Sequence, residues 1–316
     1  MRSHDVITID CLYRRPRHAA SFLMIENGEA AFVETNTVHA VPLLLDALIQ
    51  NGVAPGQVRH VIVTHIHFDH AGGVSVLLDH CPNATVICHP RAQRHLVDPS
   101  RLIESARRVY GEELFERLYM PMHAIEESRV RSVDDGAQLV FGGRNFTFAH
   151  TRGHANHHMC IHDSKTGGVF TGDAFGVEYD DRRTGGRPFL LCTSAPTDFD
   201  PGEALASVGK IMAFHPPRLF LTHYGELTDV KAAEAVIRES IGRLAAVAQA
   251  AADLSVHGEE LYAFCAAGMR KAVQDQADAC GVTLTKADRA AFESHIDVNA
   301  QGLAIYAEKC RAGKSA

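Results

Sequence analysis

The 316-residue sequence predicts an α/β fold in which sheets pack together with helices on their outer faces, followed by an all-helical tail. Three observations carry this expectation. Strand-type and helix-type apolar patterns interleave from Ala20 to His223. One run, Val58 to Thr64, is all but continuous in branched apolar residues, as a strand covered on both faces requires. Beyond Glu226 the composition turns to Ala, Glu, Lys and Arg at helical spacing.

The elements follow in order. The stretch SFLMIENGEAAFVE, ending at Glu34, reads as two strands joined by Asn27-Gly28, the dipeptide favoured in tight hairpin turns. Val38 to Gln50 repeats apolar residues at Val41, Leu44, Leu45 and Leu48, a helical period stopped by Gly52. After the Val58 strand come a helix over Ala71 to Asp79 and a strand over Ala84 to Cys88. A helix capped by Asp98 runs from Pro99 toward Met120. Strands resume over Gln138 to Phe141 and Asn145 to His150. Met159 to His162 connects to a short strand, Val169 to Thr171, through the turn Ser164 to Gly168. Asp200-Pro201-Gly202-Glu203 combines a capping aspartate, a first-turn proline and a glutamate three residues on, which starts the helix carrying Leu205, Val208 and Met212. Arg218 to Thr222 reads as the last strand. In the tail, Ile237, Ile241, Leu244 and Ala248, and then Leu261, Phe264, Cys265 and Met269, mark helix faces.

Bulk properties narrow the function. A net charge of −7 without a long basic run disfavours nucleic acid as the partner, since that affinity rests on clustered Lys and Arg. No segment reaches the apolar length of a membrane span, and the N-terminus lacks a signal-peptide pattern, so a cytoplasmic location is expected. Eight cysteines without a C-x-x-C pair indicate neither a disulfide framework nor a cysteine-built zinc site, and read as reduced, mostly buried thiols. The exposed helical tail is compatible with a homodimer.

The chemistry is concentrated after the Val58 strand, in Thr64-His65-Ile66-His67-Phe68-Asp69-His70-Ala71-Gly72-Gly73. Imidazole and carboxylate together form a ligand set for zinc, iron or manganese. His65 and His67, two apart, project together from extended backbone, while the start of the next helix turns Asp69 and His70 to a second position. That spacing points to two ions. More distant ligands are expected where strands give way to loops: His154 after Arg152-Gly153, Asp173 after Thr171-Gly172, and His223 after Leu219 to Thr222.

These motifs resemble those of the metallo-β-lactamase superfamily. THIHFDHAGG matches its H-x-H-x-D-H signature, RGHANHH its second histidine motif, FTGDAF its bridging-aspartate motif and LTHYG its last histidine, in the family's order over residues 20–225. The resemblance implies a four-layer αββα sandwich over residues 1–225, with residues 226–316 as a helical extension packing on or covering it. It implies that His65, His67 and His154 hold one ion, that Asp69, His70 and His223 hold the other, and that Asp173 bridges them. Two divalent ions, zinc first and iron or manganese as alternatives, would activate a bridging hydroxide to cleave a small ester, lactone or thioester. FDHAGG is particularly like the lactonase branch, and glyoxalase II-like members are the other near resemblance. Asp69 is also a candidate to orient the nucleophile or carry a proton, and Tyr224, as proposed for a tyrosine in the resembling lactonases, to donate to a substrate oxygen.

Arg152 stands where the family often has proline, and Glu34-Thr35-Asn36 where Asp-Thr-Gly is common; neither change removes a ligand. His158 falls where the family often has a second histidine, and Tyr13 and Cys192 are weaker candidates. The loop from Glu178 to Ser194 is a candidate pocket wall, while Asp180-Asp181-Arg182-Arg183 reads as a solvated charge run. The competing readings are a mononuclear iron oxidoreductase like the persulfide dioxygenases, a nuclease, and a non-catalytic binding protein. The full set of second-site ligands disfavours the first, and the acidic net charge the second.

Overall fold

A computed structural model describes residues 5–179 and 187–314, which leaves the run Asp180 to Arg183 and part of the Glu178 to Ser194 loop outside the described residues. The chain divides into two compact units. One comprises Met1–His150, His157–Gly172 and Phe214–Leu227; the other comprises Thr151–Asn156, Asp173–Ala213 and Thr228–Ala316.

The first unit opens with strands β1 (Ile7–Asp10), β2 (Ala20–Glu26) and β3 (Glu29–Val33), helix α1 (Val41–Gln50) and strand β4 (Val58–Ile62). Short helices α2 (Phe68–Ala71) and α3 (Val74–His80) lead to β5 (Thr85–Cys88), followed by α4 (Pro90–Val97), α5 (Ser100–Tyr110), α6 (Glu112–Tyr119) and β6 (Val130–Ser132). Strands β7 (Gln138–Phe141), β8 (Arg144–His150), β9 (Met159–Asp163) and β10 (Val169–Gly172) continue it. The second unit holds the paired strands β11 (Val177–Glu178) and β12 (Leu190–Leu191) and helix α7 (Pro201–Met212). After β13 (Leu219–Leu221) and β14 (Gly225–Leu227) of the first unit, helices α8 (Val230–Asp253), α9 (Gly258–Ala279) and α10 (Lys286–Lys314) complete the second.

Two six-stranded sheets make the body of the first unit. One has the order β1-β2-β3-β4-β5-β6, antiparallel as far as β3 and parallel from there on. The other has the order β14-β13-β10-β9-β8-β7, with β10 and β13 parallel. Strand alternation explains why the first sheet is apolar on both faces. Phe22, Met24, Ala31, Val33, Ile62 and Ile87 enter a cluster shared with Phe146, Phe148, Ile161, Phe170 and Phe220 of the second sheet. Their neighbours Leu23, Phe32, Val61 and Val86 instead join the layer containing Leu44 and Leu48 of α1 and Leu77 of α3. Each such side chain contributes roughly 1.5–3 kcal/mol on leaving water.

The hairpin at Asn27-Gly28 forms as expected, with φ of 49° and 82°. Several expectations are corrected. The predicted helix over Ala71 to Asp79 is broken, because Gly73 N donates to Asn36 O at 2.8 Å. The helix predicted from Pro99 to Met120 divides at Gly111, whose φ is 78°. Helix α4 has no counterpart among the sequence-based expectations; its cap is His89, whose Nδ1 accepts from Arg91 N at 3.0 Å, and histidine is not a residue that announces a helix start. Arg218 to Thr222 is not the last strand, since β14 pairs with β13 through a turn too short to leave a periodic signature. Strand β4 is wholly buried only toward its end, with Arg59 exposed near its start.

In the second unit, Asp200 Oδ1 accepts from Glu203 N at 3.0 Å, the predicted cap of α7. Helices α8, α9 and α10 pack against one another. Ile237, Ile241, Leu244, Ala248, Leu261, Cys265 and Met269 are buried as expected, while Phe264 lies on the flank of its helix and is exposed. Seven cysteines are buried and Cys310 is half-buried, all as free thiols. No helix among the described residues is long and apolar enough to cross a membrane.

Candidate metal centre

The H-x-H-x-D-H segment leaves the carboxyl end of β4 and enters α2, as the alternation of extended and helical backbone in the sequence requires. It is supported from beneath by the turn after β3. Thr35 N and Asn36 N donate to His70 O at 2.9 and 3.1 Å, and Asn36 Nδ2 donates to Asp69 O at 2.8 Å. The Glu-Thr-Asn variant of this turn therefore clamps the backbone of two candidate ligands.

Side chains within the first unit gather accordingly. The donor atoms of Asp69, His70 and His223 lie within 4.8 Å of one another. His223 Nε2 is 3.6 Å from Asp69 Oδ2, and His70 Nε2 is 4.0 Å from Asp69 Oδ1. The His65 and His70 rings are 3.9 Å apart, and His65 Nε2 is 2.9 Å from His67 Nδ1. All but Asp69 and His67, which are half-buried, are buried.

The far nitrogen of three of these rings is held by a neighbour that defines its proton. His223 Nδ1 lies 2.7 Å from His18 O, a carbonyl that can only accept. His70 Nδ1 lies 3.1 Å from Glu34 Oε1. Thr64 Oγ1 donates its single hydrogen to Glu34 Oε1, so toward His65 Nδ1, 3.1 Å away, it acts as acceptor. His65, His70 and His223 thus carry hydrogen on Nδ1 and present Nε2 as a lone-pair donor, the tautomer that a metal ligand adopts when its other nitrogen is hydrogen-bonded.

Glu34 is the functional residue that sequence reasoning missed as such. Wholly buried, it accepts from Thr64 Oγ1, from Thr64 N at 3.4 Å, from Thr222 Oγ1 at 3.3 Å and from His70 Nδ1. A charged residue directly after the apolar run Ala30 to Val33 is the signal that could have found it.

In the second unit, His154 and Asp173 are brought together, with Nε2 3.5 Å from Asp173 Oδ2. His154 Nδ1 is 2.8 Å from Thr193 Oγ1, a second partner not anticipated. Gly153, at φ 111°, sits against Ala204 at the start of α7, and Asp200 N donates to Gly153 O at 3.0 Å. Cys192 is buried beside this pair; burial first and the Asp173 charge second push its thiol up to about 12, so it is a neutral packing group and not a thiolate.

The lesser candidates are also placed. His158 is fully buried, with its ring 5.0 Å from that of His65, and His157 lies 5.8 Å from His67 ring to ring. Tyr224 is buried in the cluster between the sheets, with the Arg17 guanidinium 4.4 Å above its ring. Tyr13 hydrogen-bonds to Tyr119, hydroxyl to hydroxyl, at 2.6 Å.

Gly172 closes this region. Its φ is 49°, and a Cβ there would stand 2.5 Å from both His158 Nε2 and Thr64 Oγ1. We expect Gly172→Ala to destabilise the fold by roughly 2–4 kcal/mol, combining backbone strain with overpacking. A denaturant midpoint unchanged from the parent would contradict that close approach.

Comparison with known proteins identifies the family and the fold. The model of the Metallo-beta-lactamase superfamily matches residues 14–223, well over half of the chain. The chain belongs to that superfamily, and its fold is the α/β metallo-β-lactamase sandwich with an all-helical C-terminal region. It is 26% identical over 168 residues to a metallo-beta-lactamase fold-containing protein of Sulfurisphaera tokodaii, covering 49% of this chain and 62% of the relative. It is 27% identical over 158 residues to a hydroxyacylglutathione hydrolase of Aeromonas salmonicida, covering 50% of this chain and 43% of the relative. The match thus spans less than two thirds of either relative's length. Among solved structures, an archaeal metallo-beta-lactamase superfamily protein from Sulfolobus tokodaii aligns with a TM-score of 0.64 at 18% identity, covering 94% of this chain and 97% of the other. A metallo-beta-lactamase family protein from Thermus thermophilus gives 0.62 at 18% identity, covering 96% and 93%. At such identities these two show the shared fold alone.

The donor set fits divalent cations: imidazole nitrogens with their far side anchored, and carboxylate oxygens a few ångströms away.

Proposed function

We propose that the chain is a binuclear metal-dependent hydrolase acting on a small ester, lactone or thioester. The observation that carries the reading is the convergence of Asp69, His70 and His223, with both imidazoles anchored through Nδ1. The order of the motifs supports the ligand assignment: His65, His67 and His154 for one ion, Asp69, His70 and His223 for the other, Asp173 between them. Zinc is the first choice and iron or manganese the alternatives, since imidazole and carboxylate donors suit all three. When bound, such a pair supplies a water deprotonated near neutral pH and a Lewis acid for the carbonyl oxygen.

The chain's own groups do the rest. Asp69, half-buried, has an oxygen toward each of two histidines and serves to orient the nucleophile and to receive a proton destined for the leaving group. Glu34 fixes the His70 ring and raises its basicity, while the His18 carbonyl fixes His223. Tyr224 stands as the donor to the substrate oxygen in this reading, its ring held by packing. The partner is a small molecule, the location the cytoplasm. The weak likeness to hydroxyacylglutathione hydrolases supports including thioesters.

The test is elemental analysis of purified protein beside a panel of short esters, lactones and thioesters. We expect two zinc ions per chain and turnover of at least one class. Iron at one per chain with oxygen uptake, or full activity of metal-stripped protein, would overturn the reading.

A further inference from the structure

The loop between β1 and β2 carries features that the ligand set leaves unexplained. Leu12, Arg14 and Arg17, none of them glycine, take left-handed backbone with φ of 52°, 59° and 54°. Each such residue costs on the order of 1–3 kcal/mol and persists only where surrounding contacts over-determine it. Here they do. Asp10 accepts from Leu12 N at 3.1 Å and from Arg17 N at 2.9 Å, Arg15 N donates to Tyr13 O at 2.7 Å, and Tyr13 is tied to Tyr119.

The contacts also locate the loop. On one side, Tyr119 lies 5.2 Å ring to ring from Phe68, the residue between His67 and Asp69. On the other, His18 O receives the His223 Nδ1 hydrogen, and Arg17 covers Tyr224. The loop therefore runs along the centre from the Asp69 side to the His223 side. It bears Arg14-Arg15-Pro16-Arg17, three arginines in four residues on a chain of net charge −7. Arg14 is exposed, and its guanidinium is steadied 5.2 Å from the Tyr13 ring. Burial first, with the Asp69 charge among the other causes, pushes the Tyr13, Tyr110 and Tyr119 phenols up, so the rings beside Arg14 carry no charge to neutralise its guanidinium.

We propose that Arg14 is a specificity-determining residue that binds a carboxylate of the substrate remote from the bond to be cleaved. The geometry is that of a planar fork held over an aromatic ring beside the proposed metal centre, and such a fork suits a carboxylate better than a point charge would. The substrates favoured are then anionic esters or thioesters. This rests on the hydrolase reading above for its kinetic readout, but binding tests it separately.

The experiment compares phenyl acetate with 4-acetoxybenzoate, which adds a carboxylate on the leaving-group side, using zinc-loaded protein. The parent is expected to favour the anionic ester at least tenfold in kcat/KM, chiefly through KM, and less so at high salt. Arg14→Gln is expected to lower that ratio tenfold or more, and Arg14→Lys to restore part of it. A ratio near one in the parent, or an unchanged ratio in Arg14→Gln, overturns the proposal. If neither ester is turned over, the hydrolase reading fails for esters and calorimetric binding of benzoate decides. At least tenfold weaker binding to Arg14→Gln upholds the carboxylate site; equal binding, or none to the parent, removes it.

Discussion

His223→Ala is expected to lower turnover at least about 10³-fold, or about 4 kcal/mol of transition-state stabilisation, and to reduce bound zinc from two ions per chain toward one. The ring is buried just after β13 and its Nε2 lies 3.6 Å from Asp69 Oδ2, so under the proposed ligand assignment its removal opens one coordination position without altering a strand residue. The fold tolerates the change, because the hydrogen bond lost at His18 O is a single one. A circular dichroism spectrum like the parent's, together with lost metal, assigns the defect to coordination. Parental activity with one ion per chain would remove His223 from the mechanism.

Glu34→Ala is expected to have the largest effect on stability. It leaves the hydroxyls of Thr64 and Thr222 and the Nδ1 hydrogen of His70 buried without their acceptor, at about 1–3 kcal/mol each. That sum is a large share of the stability of an ordinary domain, so poor soluble yield is expected. Glu34→Gln keeps the shape and reads the chemistry instead. It retains an oxygen for His70 but loses the charge, and zinc affinity should fall 10–100-fold in a chelator competition. Unchanged affinity in a well-folded Glu34→Gln protein would reduce Glu34 to packing.

The candidate ligands were legible because a coordination motif leaves a local mark. Four of them fall within six residues, and the rest follow strand ends that hydrophobic runs reveal. What anchors them was not legible, for a physical reason. Glu34 meets Thr64, His70 and Thr222 across 30, 36 and 188 residues, so no local pattern records the meeting. His18 acts through its carbonyl, which every residue possesses. The same limit applies to the fold. Longer strands such as β2, an apolar run, and β8, which alternates, were readable, whereas β6 and β14, of three residues each, are defined by pairing partners and not by their own periodicity.

The grip on the outward ring nitrogens has a consequence for loading. A donor that must first swing into place gives up side-chain freedom when a cation arrives. His65, His70 and His223 are each held at Nδ1 by groups of the chain itself, so their rings have little rotation left to lose.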